Sequence, residues 1–313
     1  MSDQIRTLKN KVKIVGKLAE VDKFTRVTCS DQTEAISFTI GVQFGETIAE
    51  VRKVKGFIRK FLKSGKENIN YTNAENLIEK GIPMTKDKEN ATELVLSGSI
   101  EHNEYMREDQ LIETYDLNCN FITPRTNEEY TAQAEVEGYI KQLVDETAGK
   151  GEDMSETGRK RMVFLTTNFK NEAVEIKNII IRKDTLEGFR QSKGQYFEDV
   201  YGQGKTATLY LKYLPSERRT STATTNTGFG EVRITEGGSY CELVVTGSPE
   251  LPYDEEDPKA LSKDLVRKLN EERKIMLDGI KNNSGKNTTP KKEAPELKAS
   301  DFTVVADPED LPF

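Results

Sequence analysis

Ala35-Ile36-Ser37-Phe38-Thr39-Ile40-Gly41-Val42-Gln43-Phe44 alternates strictly. Ile36, Phe38, Ile40, Val42 and Phe44 fall on one side and small or polar residues on the other. Side chains repeat every two residues along a strand, so this stretch predicts a strand with one buried face. Upstream, residues 8–18 carry Leu8, Val12, Ile14, Val15 and Leu18 and read as a second strand. Downstream comes a basic segment, Val51 to Lys66, then a short helix over Asn73–Lys80 stopped by Gly81 and Pro83. Glu93–Glu101 and Gln110–Thr123 give two more strands around a polar turn. Short strands with one helix before the last pair describe a small five-stranded barrel of the OB type.

The pattern repeats from Ala132. Glu135–Val144 predicts a strand, and its Val136-Glu137-Gly138 echoes Val15-Gly16 of the first strand. Met162–Thr167 and Ala173–Ile181 form a hairpin, Asp184–Gln191 is a helix candidate, and Thr206–Leu214 and Tyr240–Thr246 are strands. The expected fold is therefore mainly β, with two OB-like barrels in tandem: residues 1–128 and 129–250. An acidic, Pro-containing linker and a helix over Pro258–Lys281 make up 251–281, with Leu261, Leu265, Leu269, Ile275 and Ile280 near one stripe. Residues 282–313 have few large apolar groups with which to offset ordering entropy. They read as a disordered tail.

Composition narrows function. With 35% hydrophobic and 32% charged residues, the 313-residue chain fits small folded units with solvated extensions. Cys29, Cys119 and Cys241 are distant and odd in number, and His102 is the only histidine. No disulfide framework, zinc site or other metal site is expected, and no cofactor. No apolar leader and no run of about 18 apolar residues occurs, so a cytoplasmic protein without a membrane partner is expected. No Ser/His/Asp or Cys/His grouping offers a nucleophile, so no catalytic residue is assigned and a non-enzyme is expected. Gly202-Gln203-Gly204-Lys205-Thr206 imitates the end of a phosphate loop, but the required earlier glycine is Asp199. Met276 stands where a Lys-x-Asp-Gly ligase motif needs its lysine.

Two segments carry cations among aromatics. Arg52, Lys53, Lys55, Arg59, Lys60 and Lys63 surround Phe57 and Phe61, with no acid between Arg52 and Lys66. In the later half, Arg161, Phe169, Lys170, Tyr196, Phe197, Tyr201, Tyr210, Lys212, Arg218 and Arg219 form the counterpart. Tyr210 and Lys212 share one face of their strand, with Leu209, Leu211 and Tyr213 on the other. A cationic groove that follows phosphates, with rings on which bases stack, is what a single strand requires. The net charge of −7 opposes nucleic acid only as a sum, because linker and tail acids mask the two basic segments. Deleting residues 301–313 is expected to tighten DNA binding if that tip competes for the grooves.

The end of the chain, Asp307-Pro308-Glu309-Asp310-Leu311-Pro312-Phe313, resembles the acidic tip of bacterial single-stranded DNA-binding proteins. Lys11-Val12-Lys13-Ile14-Val15-Gly16-Lys17-Leu18 is similar to that family's opening strand. The resemblance implies an OB fold that holds single-stranded DNA. It also implies a tip, Asp307, Glu309, Asp310, Leu311, Pro312 and Phe313, that recruits replication or repair enzymes. The family usually has one OB fold per chain and often a tryptophan in its groove; this chain has none. Size and divergence point to a bacteriophage or mobile-element version acting in a host cytoplasm. The competing expectations are a replisome adaptor that binds DNA weakly or not at all, and a nucleic-acid enzyme with an OB module.

Overall fold

A computed structural model describes residues 6–107, 110–124, 127–148, 154–168, 171–184, 191–216, 223–225, 233–235 and 240–284. Among the described residues the protein is mainly β, with three α-helices. In the first half lie β1 (Asn10–Thr28), β2 (Glu34–Gln43), β3 (Val51–Arg59), α1 (Ile69–Lys80), β4 (Glu93–Arg107) and β5 (Gln110–Pro124). The second half holds β6 (Thr131–Ala148), β7 (Ser155–Thr167), β8 (Ala173–Ile181), α2 (Lys193–Val200) and β9 (Thr206–Pro215). A separate two-stranded pair, β10 (Ala223–Thr225) and β11 (Arg233–Thr235), precedes β12 (Cys241–Gly247) and α3 (Lys263–Ser284).

Strand pairing closes two rings. The first runs β1–β2–β3–β5–β4 and back to β1, antiparallel throughout except β3 on β5, where Val54 faces Leu117. The second runs β6–β7–β8–β12–β9 and back to β6, again with one parallel pair, β8 on β12. α1 and α2 occupy the same place, between the third and fourth strands of their rings in chain order. β1 pairs antiparallel with β6, Val12 opposite Ala134, so both rings belong to one ten-stranded sheet.

The rings turn at matching glycines. β1 leaves β4 for β2 near Gly16, where a Cβ would run into the backbone carbonyl of Gln43. β6 leaves β9 for β7 at Gly138, where a Cβ would meet the carbonyl of Leu165. The two Val/Gly turns thus mark equivalent bends at which only glycine admits the neighbouring backbone. Ile14, Phe38, Ile40 and Ile100 from the first ring and Ile140, Met162, Phe164 and Ile176 from the second, all at 2% exposure or less, belong to one continuous core. Burying each such side chain contributes about 1.5–3 kcal/mol. A smaller cluster of Leu8, Leu165, Leu261, Val266 and Leu269 docks α3.

Several expected boundaries shift. β1 extends to Thr28 because its second half pairs with β2. The basic segment from Val51 is a strand to Arg59. α1 starts at Ile69, where the Asn68 side chain accepts from the Asn70 amide. The helix candidate over Asp184–Gln191 falls mostly on residues 185–190, which lie outside the described residues; α2 forms over Lys193–Val200, capped by Ser192. α3 begins at Lys263, since Pro258 sits in a turn closed by Ala260 N–H on the Asp257 carbonyl. It also runs through Ser284, past the expected start of the tail. Ile275 is not on its buried stripe: it is 72% exposed, and Arg273 takes the inward position after Leu269.

Candidate nucleic-acid interface

β3 presents the first group of expected site residues. Val54, Gly56 and Ile58 point inward; Lys53, Lys55, Phe57 and Arg59 point outward. Opposite them on β2 stand Gly41, Thr39, Ser37 and Ala35. These small residues leave the Phe57 ring half-exposed. Lys63 and Phe61 follow in an exposed loop, Phe61 at 40% exposure.

The absence of acids from this segment proves local to the sequence. Lys53 donates to Asp22 at 2.6 Å, Arg59 to Asp31 at 2.7 Å and Lys60 to Glu34 at 2.6 Å. All three acids come from the β1–β2 hairpin folded alongside. The hydrogen bonds to Asp22 and Glu34 raise the Lys53 and Lys60 ammonium groups. The Thr33 amide, then Arg59, holds the Asp31 carboxyl below the ordinary range. Such exposed pairs are salt-screened and exchangeable, so a phosphate can replace the carboxylate.

Between the rings lies a cleft of ≈ 620 Å³, entered along β3 and lined by Arg52, Lys53, Arg161, Asn178, Tyr213 and Tyr240 among others. Arg52 spans it: its Nη2 donates to the Cys241 carbonyl at 2.8 Å, and its guanidinium lies 4.7 Å from the Tyr213 ring centroid. Burial pushes the Tyr213 phenol up to about 12 although Arg52 opposes the shift, so the hydroxyl is neutral. Tyr240 is 41% exposed on the other wall.

A buried charge cluster supports that wall. Arg159 bridges Glu242 at 2.7 Å and Glu146 at 3.2 Å, and Arg161 Nε meets Glu146 at 2.8 Å. Burial would raise the Glu146 carboxyl, but the Arg161 hydrogen bond and the two arginine charges together hold it low. A buried carboxylate shared by two guanidiniums avoids the cost of an unpaired buried charge.

The remaining expected residues separate. Tyr210 and Lys212 do share the outer face of β9, but that face lies at the β1–β6–β9 junction with Lys11, Lys13 and Gln133. Phe197 and Tyr201 are corrected from base-stacking candidates to core: they are 5% and 8% exposed and stack on each other at 4.9 Å. Tyr196 is half-buried against the same core. Phe169, Lys170, Arg218, Arg219 and the tip Asp307, Glu309, Asp310, Leu311, Pro312 and Phe313 lie outside the described residues.

Sequence reasoning missed Lys177 and Asn178. The signal was present: Ile176-Lys177-Asn178-Ile179 breaks the period of two expected of β8. It also missed a buried cluster between the rings. Arg273 of α3 pairs with Glu104 of β4 and reaches Glu175 of β8 at 3.4 Å. Lys177 meets Glu113 at 2.6 Å. His102 sits 3.5 Å from Glu104, pushed down to about 4 by burial and then by Arg273, and is therefore neutral. His102, Glu104 and Glu113 could bring three ligand atoms within 4.8 Å, but Arg273 and Lys177 already engage both carboxylates. Among the described residues, no helix is long and apolar enough to cross a membrane.

Residues 9–283 match the model of a protein family described as YorF. Among curated proteins, no relative matches. Among solved structures, the chain is similar to a deletion mutant of the single-stranded DNA-binding protein from Thermus aquaticus. Identity is 10%, coverage 81% of this chain and 99% of that one, and the TM-score 0.44. For the wild-type form of that protein the values are 9%, 81%, 96% and 0.42.

Proposed function

The chain belongs to the YorF family, and from its own geometry we propose that it is a non-enzymatic protein that binds and coats single-stranded DNA. Each five-stranded ring is read as an OB-type barrel, residues 1–128 and 129–250, with 251–281 as linker and helix. One observation carries the reading. β3 exposes Phe57 between Lys55 and Arg59 and continues through Lys53 and Arg52 into the cleft that holds Arg161, Tyr213 and Tyr240. Cations on alternate strand positions with intervening rings suit a strand that lies along the first ring and crosses to the second. The tip, Asp307 to Phe313, would recruit replication or repair enzymes by an aromatic end flanked by acids.

Binding of a labelled oligo-deoxythymidine, followed by anisotropy at several salt concentrations, tests this. The expected result is an affinity that falls steeply with salt, is insensitive to sequence and exceeds that for duplex DNA. Flat salt dependence, or no preference for single strands, overturns it. One observation favours a second reading, an adaptor with weak or no DNA binding: Lys53, Arg59, Lys60 and Arg161 all have carboxylate partners. Absence of binding while the tip still captures replication enzymes would select that reading.

A further inference from the structure

β8 is interrupted where it lines the cleft. Met162 pairs with Ile179 and Phe164 with Ile176, so Lys177 and Asn178 together oppose Val163 alone. This is a β-bulge, a device that re-aims side chains. Asn178 occupies the left-handed region at φ 60°, which few residues other than glycine and asparagine adopt cheaply. The twist turns Asn178 outward while Ile176, Ile179, Ile180 and Ile181 stay buried.

The consequence is a fixed arginine. Asn178 Oδ1 accepts from Arg161 Nη1 at 3.0 Å, and Glu146 accepts from Arg161 Nε at 2.8 Å. Glu146 is itself held by Arg159 and by the Thr157 hydroxyl at 3.1 Å. Two edges of the guanidinium are thus tied, and among the described residues its Nη2 carries no hydrogen bond. Charge also balances in favour of an anion. Arg159 and Arg161 are offset by Glu146 and Glu242, whereas Arg52 rests on a carbonyl and a ring that do not neutralise it. A planar fork held in one orientation beside an uncompensated cation suits a phosphodiester, because little side-chain entropy remains to be lost on binding.

We propose that the Asn178 bulge and Arg161, with Arg52 across the cleft, form a phosphate seat that fixes a single strand where it passes between the rings. This rests on the reading that the cleft carries single-stranded DNA. The seat concerns only strands long enough to cross, so length separates it from binding along β3. The test compares eight- and thirty-nucleotide oligo-deoxythymidines on the full chain, with Arg161→Lys and Asn178→Gly. Glycine keeps the left-handed backbone, so the bulge survives; lysine keeps the charge and loses the fork. Each variant is expected to bind the long oligomer about tenfold more weakly, the loss of one charge-assisted hydrogen bond, with the short one changed less than about twofold and Asn178→Gly melting no lower than the natural chain. Equal losses on both lengths, or none on the long one, overturn the seat while leaving DNA binding intact. Failure of the natural chain to bind either oligomer overturns the parent reading and the seat with it.

Discussion

Replacing Arg273 by methionine tests how the two halves are held together. The Arg273 side chain is 5% exposed; it pairs with Glu104, whose side chain is 1% exposed, and reaches Glu175, at 7%. Methionine fills much of the volume but leaves Glu104 without its main counter-charge. Breaking a buried pair from one side costs about 3–5 kcal/mol. Lys141 still serves Glu175, so the lower half of that range applies. At about 2–4 °C per kcal/mol for a fold of this size, the melting temperature drops by roughly 6–16 °C. The pH dependence has a definite sign. Without Arg273 the folded-state pKa of Glu104, already raised by burial, rises further above its unfolded value. Stability tied to its protonated form is present at low pH and lost as pH rises through the folded pKa. The deficit of Arg273→Met is therefore larger at pH 7.5 than at pH 5, measured by circular dichroism melts. A loss under about 1 kcal/mol, or a deficit that grows on acidification, would refute the buried-pair argument.

Three further outcomes follow from the same contacts. His102, held neutral with its pKa near 4, has a folded value below its unfolded one, so the natural chain loses stability as pH falls from about 6.5 toward 4; His102→Gln flattens that slope in denaturant titrations between pH 7 and 4.5. Phe57→Ala weakens single-strand binding by about 1–3 kcal/mol with little change in melting, whereas Phe197→Ala leaves binding per folded molecule unchanged and destabilises by about 3–5 kcal/mol. Neutralising the hairpin acids together, by Asp22→Asn, Asp31→Asn and Glu34→Gln, releases Lys53, Arg59 and Lys60 and tightens binding at low salt with a steeper salt slope; unchanged titration curves would show that these cations do not meet DNA.

Much of the fold was legible because strand alternation is a local property. Ile36 to Phe44 announces its buried face in nine residues, and Gly16 and Gly138 mark both bends. What escaped depends on chain neighbours distant in sequence. No reading of Arg52 to Lys66 finds Asp22, Asp31 and Glu34, because antiparallel pairing with β2 brings their hairpin alongside. Phe197 and Tyr201 carry the same aromatic signature as a stacking ring, and only the helix over Lys193–Val200 turns them inward. The helix over Lys193–Val200 escaped although Ser192, whose side chain accepts from the Gln195 amide, offers its cap. Nothing in the sequence around Arg273 singles it out, because its partners Glu104 and Glu175 come from two distant strands.

The seam between β1 and β6 has a consequence for the integrity of the gene product. Two copies of one strand order joined by a bare tether could be exchanged, lost or recombined one at a time. Here each copy completes the other's sheet, because residues 10–15 and 131–136 saturate backbone groups that would otherwise face solvent as open edges. A gene truncated between the copies would yield two sticky halves prone to pair with whatever strand they met. With that seam closed, neither ring offers its β1 or β6 edge to solvent, so the two rings are expected to fold together and not apart.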